Sequence, residues 1–320
     1  MQTVENADIM GKKVADQLVE TICRAGIRHI YAVTGDSLNE VNDAVRRAGT
    51  VRWVHVRHEE SGAFAAAAES ELNGIACCAG SSGPGHVHLI NGLYDAHRSN
   101  CPVLAIASTC PSDQFGTGYF QETDPIRLFD DCSGYNQMAV TPAQFARMLP
   151  AALQHAIHRR EVAVVGLPGD VAASPCAESP GASGPLPSHG IYRPLDGELR
   201  QLAEMIGSAE RITVFCGIGA REAHDEVVRL AAMLKAPVAY TFKAKMEVQY
   251  DNPYEIGMTG LLGLPSAYGA MHESDLLLLL GTDFPYDCFL PSECRIAQVD
   301  IRPERIGRRA RVELGLAGDV

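Results

Sequence analysis

The sequence predicts an α/β protein built from two doubly wound domains with parallel sheets, and three observations carry that prediction. Apolar runs of strand length alternate with stretches whose apolar residues recur every three to four positions, so strands and helices take turns. The strand-like runs are apolar throughout rather than at every second residue, as in a sheet covered by helices on both faces. Between Ser174 and Pro194, prolines at Pro175, Pro180, Pro185, Pro187 and Pro194 sit among glycines and serines, and the alternation restarts beyond them. A first domain is expected over 1–173, a linker over 174–194 and a second domain over 195–320.

The elements follow in order. Val14, Leu18, Val19 and Ile22 share one helical face, and Gly26 closes that helix. A strand over 30–33 runs into Thr34-Gly35-Asp36-Ser37, and a second strand covers 51–56. The alanine-rich stretch 59–72 is helical and has almost no polar side chain on any face, so it is expected to be buried all round. A strand at 75–79, a helix at 87–95 and a strand at 103–106 continue the pattern, and Pro142 opens a helix reaching about residue 158. A strand at 162–165 closes the first domain before Leu167-Pro168-Gly169-Asp170. The second domain reads helix 198–206, strand 212–216, helix 222–234, and strands at 238–241, 276–280 and 296–301.

With 27 Lys and Arg against 39 Asp and Glu the formal net charge is −12, which argues against a nucleic-acid partner. The densest basic run, Arg302, Arg305, Arg308, Arg309 and Arg311, is interrupted by Glu304 and reads as a solvated helix face. Glu5, Asn6 and Asp8 stand where a secretion signal needs basic residues followed by an apolar run. The longest strongly apolar run, 276–280, is far below the ~20 residues of a membrane helix, so a cytoplasmic segment without membrane contact is expected. Of the ten cysteines, Cys77, Cys78, Cys101 and Cys216 lie in strand-like runs, and none shows C-x-x-C spacing. Small buried hydrophobes in a reducing compartment are the expectation.

Several residues are candidates for chemistry. Glu59 stands at the entrance of the alanine-rich helix. An acidic residue there opposes the helix dipole, but beside so apolar a helix it would also be partly desolvated, with a raised pKa suited to exchanging a proton with a bound heterocycle. Gly80-Ser81-Ser82-Gly83-Pro84-Gly85 links a strand to a helix, where backbone N–H groups can face a ligand or merely make a tight turn. It is neither a Walker loop nor a Rossmann fingerprint. Cys216-Gly217-Ile218-Gly219-Ala220, the loop from Met258 to Gly263, and Gly281-Thr282-Asp283-Phe284-Pro285 are small-residue loops of the second domain. Asp300 ends a strand where a carboxylate can accept from a ribose or ribityl hydroxyl. Each alone suits a turn; together they favour a dinucleotide-sized ligand.

In order along the chain stand Val33-Thr34-Gly35-Asp36-Ser37, Arg57-His58-Glu59-Glu60, Ala63-Phe64-Ala65-Ala66, Gly83-Pro84-Gly85, His88-Leu89-Ile90-Asn91-Gly92-Leu93, Pro102-Val103-Leu104-Ala105-Ile106 and Gly118-Tyr119-Phe120-Gln121-Glu122-Thr123. This combination resembles the thiamine-diphosphate-dependent enzymes of the pyruvate oxidase and acetolactate synthase group. Asn252-Pro253-Tyr254, Gly257-Met258-Thr259-Gly260-Leu261 and Phe284-Pro285-Tyr286 are most similar to its quinone-linked branch, the bacterial pyruvate dehydrogenases (quinone).

The resemblance implies a role for each matching residue. Glu59 matches the glutamate that hydrogen-bonds the aminopyrimidine of thiamine, and Phe120 and Gln121 match a pair reaching the cofactor's reacting end in a neighbouring subunit's half-site. Gly35, Asp36 and Ser37 would line the same pocket, with Gly83, Pro84 and Gly85 forming a cofactor-facing turn; His86 departs from the Gly or Asn usual there. Gly217, Met258, Thr259, Gly260, Leu261, Gly281, Thr282, Asp283, Phe284, Pro285 and Asp300 match FAD contacts. The family's Gly-Asp-Gly and Asn-Asn, which hold Mg²⁺ and the diphosphate on a third domain, are not in the sequence, since Gly169-Asp170 is followed by Val171. The chain therefore reads as the first two domains of a three-domain enzyme, inactive alone. That parent enzyme would convert pyruvate to acetate and CO₂, pass electrons through FAD to a quinone, and form a homo-oligomer, a dimer of dimers. Acetolactate synthase, an oxygen-using pyruvate oxidase and a non-catalytic FAD-binding or regulatory subunit are the alternatives.

Overall fold

The computed structural model describes residues 11–177 and 190–320. The chain divides into two compact units, Met1–Ser188 and His189–Val320. The division falls within the stretch expected as a linker, of which 178–189 lie outside the described residues.

In the first unit the elements are α1 (Val14–Arg24), β1 (His29–Ala32), α2 (Asn39–Ala48), β2 (Arg52–His55), α3 (Glu59–Asn73), β3 (Ala76–Gly80), α4 (Pro84–Arg98), β4 (Val103–Thr109), α5 (Pro125–Leu128), β5 (Tyr135–Met138), α6 (Pro142–Arg159), β6 (Val162–Pro168) and α7 (Gly169–Ala173). The strands form one parallel sheet in the order β2-β1-β3-β4-β6-β5. The continuous apolar runs follow from burial on both faces. Along β4, Leu104 and Ile106 pack with Leu18, Ile22 and Phe145 on one side, while Val103, Ala105 and Ala107 pack with Ala63, Leu89 and Leu93 on the other.

The second unit contains α8 (Asp196–Gly207), β7 (Ile212–Cys216), α9 (His224–Leu234), β8 (Val238–Tyr240), α10 (Lys245–Val248), β9 (Glu255–Met258), α11 (Pro265–Glu273), β10 (Leu276–Leu280), β11 (Arg295–Asp300) and β12 (Leu314–Ala317). Its sheet is also parallel, in the order β12-β11-β10-β7-β8-β9. The five leucines of β10 divide between the faces, Leu276, Leu278 and Leu280 to one core and Leu277 and Leu279 to the other.

Three strands absent from the sequence reading, β5, β9 and β12, are all outermost strands. An edge strand carries polar or half-exposed residues, as in Tyr-Asn-Gln-Met of β5, and so lacks the uniform apolar signal. Helices α2 and α11 were likewise not anticipated; α2 is mostly polar and buries only Val41, Ala44 and Val45.

Two expectations are corrected. Helix α3 is not buried all round, because Ser61, Phe64, Ala68 and Leu72 form an exposed stripe, with Phe64 39% and Leu72 85% exposed. The stripe is too short of polar residues to announce itself as a surface. The arginine run after β11 is not a helix face but a short 3₁₀ turn, Pro303–Arg305, followed by irregular chain. Proline and glycine in the run deny it a helix, and Arg308 and Arg309 turn instead onto Asp283.

All ten cysteines are free thiols, and burial pushes those of Cys78 and Cys216 up to about 12, which leaves them inert. Among the described residues no helix is long and apolar enough to cross a membrane.

Candidate functional site

In the first sheet the chain leaves β1 toward β2 on one side and later enters β3 on the other, so a crevice opens at the carboxyl ends of β1 and β3. Their exit loops are tied together there. Gly35 lies so close to Ser81 that a Cβ on it would come within 2.4 Å of the serine's own. The Ser82 N–H donates to Ser37 Oγ (3.1 Å), the Ser37 hydroxyl donates to the Ser108 carbonyl (3.3 Å), and the Ser108 hydroxyl donates to the Ser37 carbonyl. The exits of β1, β3 and β4 thus form one hydrogen-bonded floor.

Helix α4 starts on this floor. Gly83 caps it at φ 73°, and a Cβ there would lie 2.8 Å from that of Gln121, which itself has φ 56°. The Ser82 hydroxyl donates to the Gln121 carbonyl (2.6 Å), and the Gly83 N–H donates to Thr123 Oγ1 (3.3 Å). His86 is fully buried one step further on. Its Nε2 donates to the Ser108 carbonyl (2.9 Å) and its Nδ1 accepts from the Thr123 hydroxyl (2.7 Å), the arrangement of a neutral ring. Burial lowers its pKa to about 4, against the opposing pull of the Ser108 carbonyl. Histidine at this departure from the family pattern therefore staples the α4 turn to the loop bearing Phe120 and Gln121.

Glu59 is the first residue of α3 and only 8% exposed. Its Oε2 accepts from His88 Nδ1 at 2.9 Å, and the His88 ring stacks on His58 with centroids 4.2 Å apart. Its Oε1 has no hydrogen-bond partner among the described residues and faces Gly85, where a Cβ would stand 3.3 Å away. Glu59, Gly35, Ser37, Gly83, Gly85 and Gln121 therefore meet at the carboxyl end of the sheet. Phe120 stands out from it, 71% exposed, and Asp36 and Pro84 are also exposed. The loop carrying Phe120 is held by Glu122, which accepts from the N–H groups of Gly116, Gly118 and Tyr119; the bond from Gly116 contributes most to lowering its pKa. Ser82 and Thr123 stand within motifs named from sequence, though without a role of their own, and Ser108 was not named at all. Isolated hydroxyls carry no pattern, and only the sheet order brings them together.

The second sheet has its crevice between β7 and β10. The two glycine loops interlock there backbone to backbone. A Cβ on Gly217 would lie 2.3 Å from the Gly281 carbonyl oxygen and one on Gly219 would lie 2.7 Å from Gly281 Cα, so neither position admits a side chain. The Gly217 N–H donates to the Leu280 carbonyl (2.8 Å) and the Gly219 N–H to the Gly281 carbonyl (3.0 Å). Thr282 is buried and its carbonyl accepts from Gln298 Nε2 (3.1 Å). Asp283 is gripped by Arg308 and Arg309, each at 3.1 Å. The Phe284 ring packs edge-on against Phe215, with centroids 5.3 Å apart, and Gly260 lies against that ring. The side chains of Asp283 and Phe284 are thus committed to contacts within the chain, while Pro285 and Leu261 are exposed. Asp300 is buried at the end of β11; burial pushes its pKa up although it accepts from the Arg302 N–H (2.9 Å). Met258 ends β9, and next to it Thr259 buries a hydroxyl with no partner among the described residues.

Comparison with known proteins places both units. Residues 12–128 match the model of the thiamine pyrophosphate enzyme N-terminal TPP binding domain, and residues 199–320 match that of the central domain. The chain belongs to the thiamine pyrophosphate enzyme family. The chain is 51% identical over 310 residues to an uncharacterized 42.6 kDa protein in the isoamylase 3′ region of Pseudomonas amyloderamosa, covering 96% of this chain and 78% of that protein. It is 36% identical to the putative thiamine pyrophosphate-containing protein YdaP of Bacillus subtilis, over 97% of this chain and 54% of the relative. It is 32% identical to a pyruvate oxidase of Lactiplantibacillus plantarum, over 92% of this chain and 50% of the relative. The chain thus spans about half the length of the latter two.

One feature fits the cofactor named by the matched N-terminal domain: the unpartnered Glu59 Oε1, beside Gly85, suits a ring nitrogen of thiamine. Among the described residues no three His, Cys, Asp or Glu side chains gather as a metal site.

Proposed function

We propose that this chain forms the thiamine-pyrimidine and FAD-binding portion of an enzyme that oxidatively decarboxylates pyruvate to acetate and CO₂, with a quinone as electron acceptor. The observation that carries the reading is the nearly buried Glu59 carboxylate, with Oε2 held by His88 and Oε1 free. Thiamine diphosphate would supply polarity reversal at the carbonyl carbon of a 2-oxo acid, and FAD would accept two electrons. Within the chain, Glu59 holds and exchanges a proton at Oε1, and His88 orients the carboxylate. The His86–Thr123 staple fixes the approach of Gln121, and the Gly217–Gly281 interlock shapes the nucleotide side of the second unit. Mg²⁺ and the diphosphate would be held by residues not present in this sequence, which contains neither Gly-Asp-Gly nor Asn-Asn, so the chain by itself would not turn over pyruvate.

The exposed stripe of α3 supports assembly through this face into a homo-oligomer, a dimer of dimers in the complete enzyme, and the net charge of −12 argues against a nucleic-acid partner for this enzyme of the cytoplasm. A second reading, a non-catalytic FAD-binding or regulatory subunit, draws support from the 42.6 kDa relative, most of whose length this chain already matches. Acetolactate synthase and oxygen-using pyruvate oxidase chemistry remain the enzymatic competitors.

Flavin absorption after incubation with FAD and desalting tests the reading. A retained flavin band supports the FAD-linked branch, and a colourless protein removes FAD from the proposal for this chain. Titration with thiamine diphosphate, followed by calorimetry, tests the other half: Glu59→Gln should weaken binding about tenfold or more through loss of a charged hydrogen bond. Equal affinity in the two proteins would defeat the role given to Glu59.

A further inference from the structure

A second cleft of about 540 Å³ opens at the opposite end of the first sheet, where β1 and β2 begin, and it is lined by Arg28, Asn42, Val45, Arg46, Arg52 and Trp53 among others. It cannot be part of the site built on Gly35 and Glu59, because those residues lie at the carboxyl ends of the strands and this cleft lies at their amino ends. Its chemistry is one-sided. Three guanidinium groups line it and no carboxylate does.

The three arginines are not equally committed. Arg46 is paired with Asp43 at 2.7 Å. Arg28 donates from Nη1 to the Cys23 carbonyl (2.8 Å) and the Ile27 carbonyl (3.2 Å), which leaves its Nε and Nη2 available. Arg52, the first residue of β2, is exposed and has no side-chain partner among the described residues. The Asn42 amide has none either. Beside them the Trp53 indole N–H is buried without an acceptor, a cost that folded proteins seldom carry unanswered. The remaining lining comes from Val45, Gly49, Thr50, Val51 and Trp53.

We infer that this cleft binds a small organic oxyanion, a carboxylate or phosphate carried on an apolar body. Arg52 and Arg28 take the charged group through paired N–H donors, Asn42 adds a neutral donor, and Val45 with Trp53 covers the apolar portion. Trp53 belongs to the same lining, so its emission reports on whatever is seated there. The cleft and the Glu59 crevice lie at opposite ends of the first sheet, so a ligand here would act as an effector rather than as a substrate of that crevice.

The sequence provides its own reporter, since Trp53 is the only tryptophan. The full chain, free of added cofactors, is titrated with inorganic pyrophosphate, citrate and AMP while tryptophan emission is recorded, and calorimetry measures the same affinities. A saturable emission change with at least one anion below about 10 mM is expected, matched by calorimetry and weakened about tenfold or more in Arg52→Gln and in Arg28→Gln. A response to pyrophosphate or AMP alone identifies a phosphate ligand, and a response to citrate alone identifies a carboxylate. Unchanged circular dichroism keeps the variants interpretable; both sit at the protein surface, so loss of folding in one leaves the other as the test. No saturable change with any of the three anions overturns the proposal. So does calorimetric binding with a silent tryptophan, or binding that survives in both variants.

Discussion

Replacing His86 with glutamine should remove a defined part of the protein's sensitivity to acid. His86 is fully buried between the Thr123 hydroxyl and the Ser108 carbonyl, and its pKa is about 4 when folded against an ordinary value of 6.5. Between those values the unfolded chain takes up a proton that the folded chain refuses, so stability must fall as pH drops through 6.5 and level off only below about 4. Applied to these two values, linkage puts the loss between pH 7.5 and pH 5 at about 2 kcal/mol, with nearly all of it coming below pH 7. Urea unfolding followed by Trp53 emission reports on the first unit alone, because no tryptophan lies in the second. The wild-type chain should lose about 2 kcal/mol more than His86→Gln over this interval, since glutamine has no proton to gain. Glutamine should also lower stability at pH 7.5 by about 1–3 kcal/mol through imperfect replacement of two buried hydrogen bonds. Equal acid sensitivity in the two proteins, within about 0.5 kcal/mol, would refute the argument, because it would mean that His86 is either charged or accessible in the folded state.

Two further outcomes concern the same unit. Gly83→Ala forces a left-handed backbone onto a residue with a side chain and drives its Cβ to 2.8 Å from that of Gln121, so it should cost about 2–4 kcal/mol and lower the Trp53-monitored Tm by roughly 4–15 °C. A variant melting with the wild type would show that the α4 turn relaxes without strain. The double substitution Phe64→Glu and Leu72→Glu, placed on the exposed stripe of α3, should convert an oligomer to a monomer in light scattering without lowering Tm. A wild-type chain that is monomeric at high concentration would remove this face as an interface.

Much of the fold is legible because both sheets are parallel and covered on both faces. Strands such as β4, β6 and β10 are buried at every position and so are mostly apolar, as in the run Leu276–Leu280. The outer strands β5 and β9 are illegible for the converse reason: with one neighbour they tolerate tyrosine, asparagine, glutamine and glutamate, while β12, Leu-Gly-Leu-Ala, is a short glycine-broken run with a single buried residue. The glycine loops announced themselves as turns, but their meaning did not. Gly217 and Gly281 are far apart in the chain, and only the crossover between β7 and β10 makes each the reason the other can carry no side chain.

The candidate site divides in the same way. Glu59 was visible as an acidic residue opening an alanine-rich helix, and Gly83-Pro84-Gly85 as a strand-to-helix turn, because capping and turn chemistry act over a few residues. That His88 holds one oxygen of Glu59 and leaves the other free was not readable, since it depends on α3 packing beside α4. Nor could the sequence show that Asp283 and Phe284 spend their side chains on Arg308, Arg309 and Phe215, or that His86 binds two separate loops at once. Element type and family are local properties, carried by residue order and by short motifs. Which donor meets which acceptor is a property of strand order and helix packing, where residues tens of positions apart become neighbours and burial decides which of them stay charged.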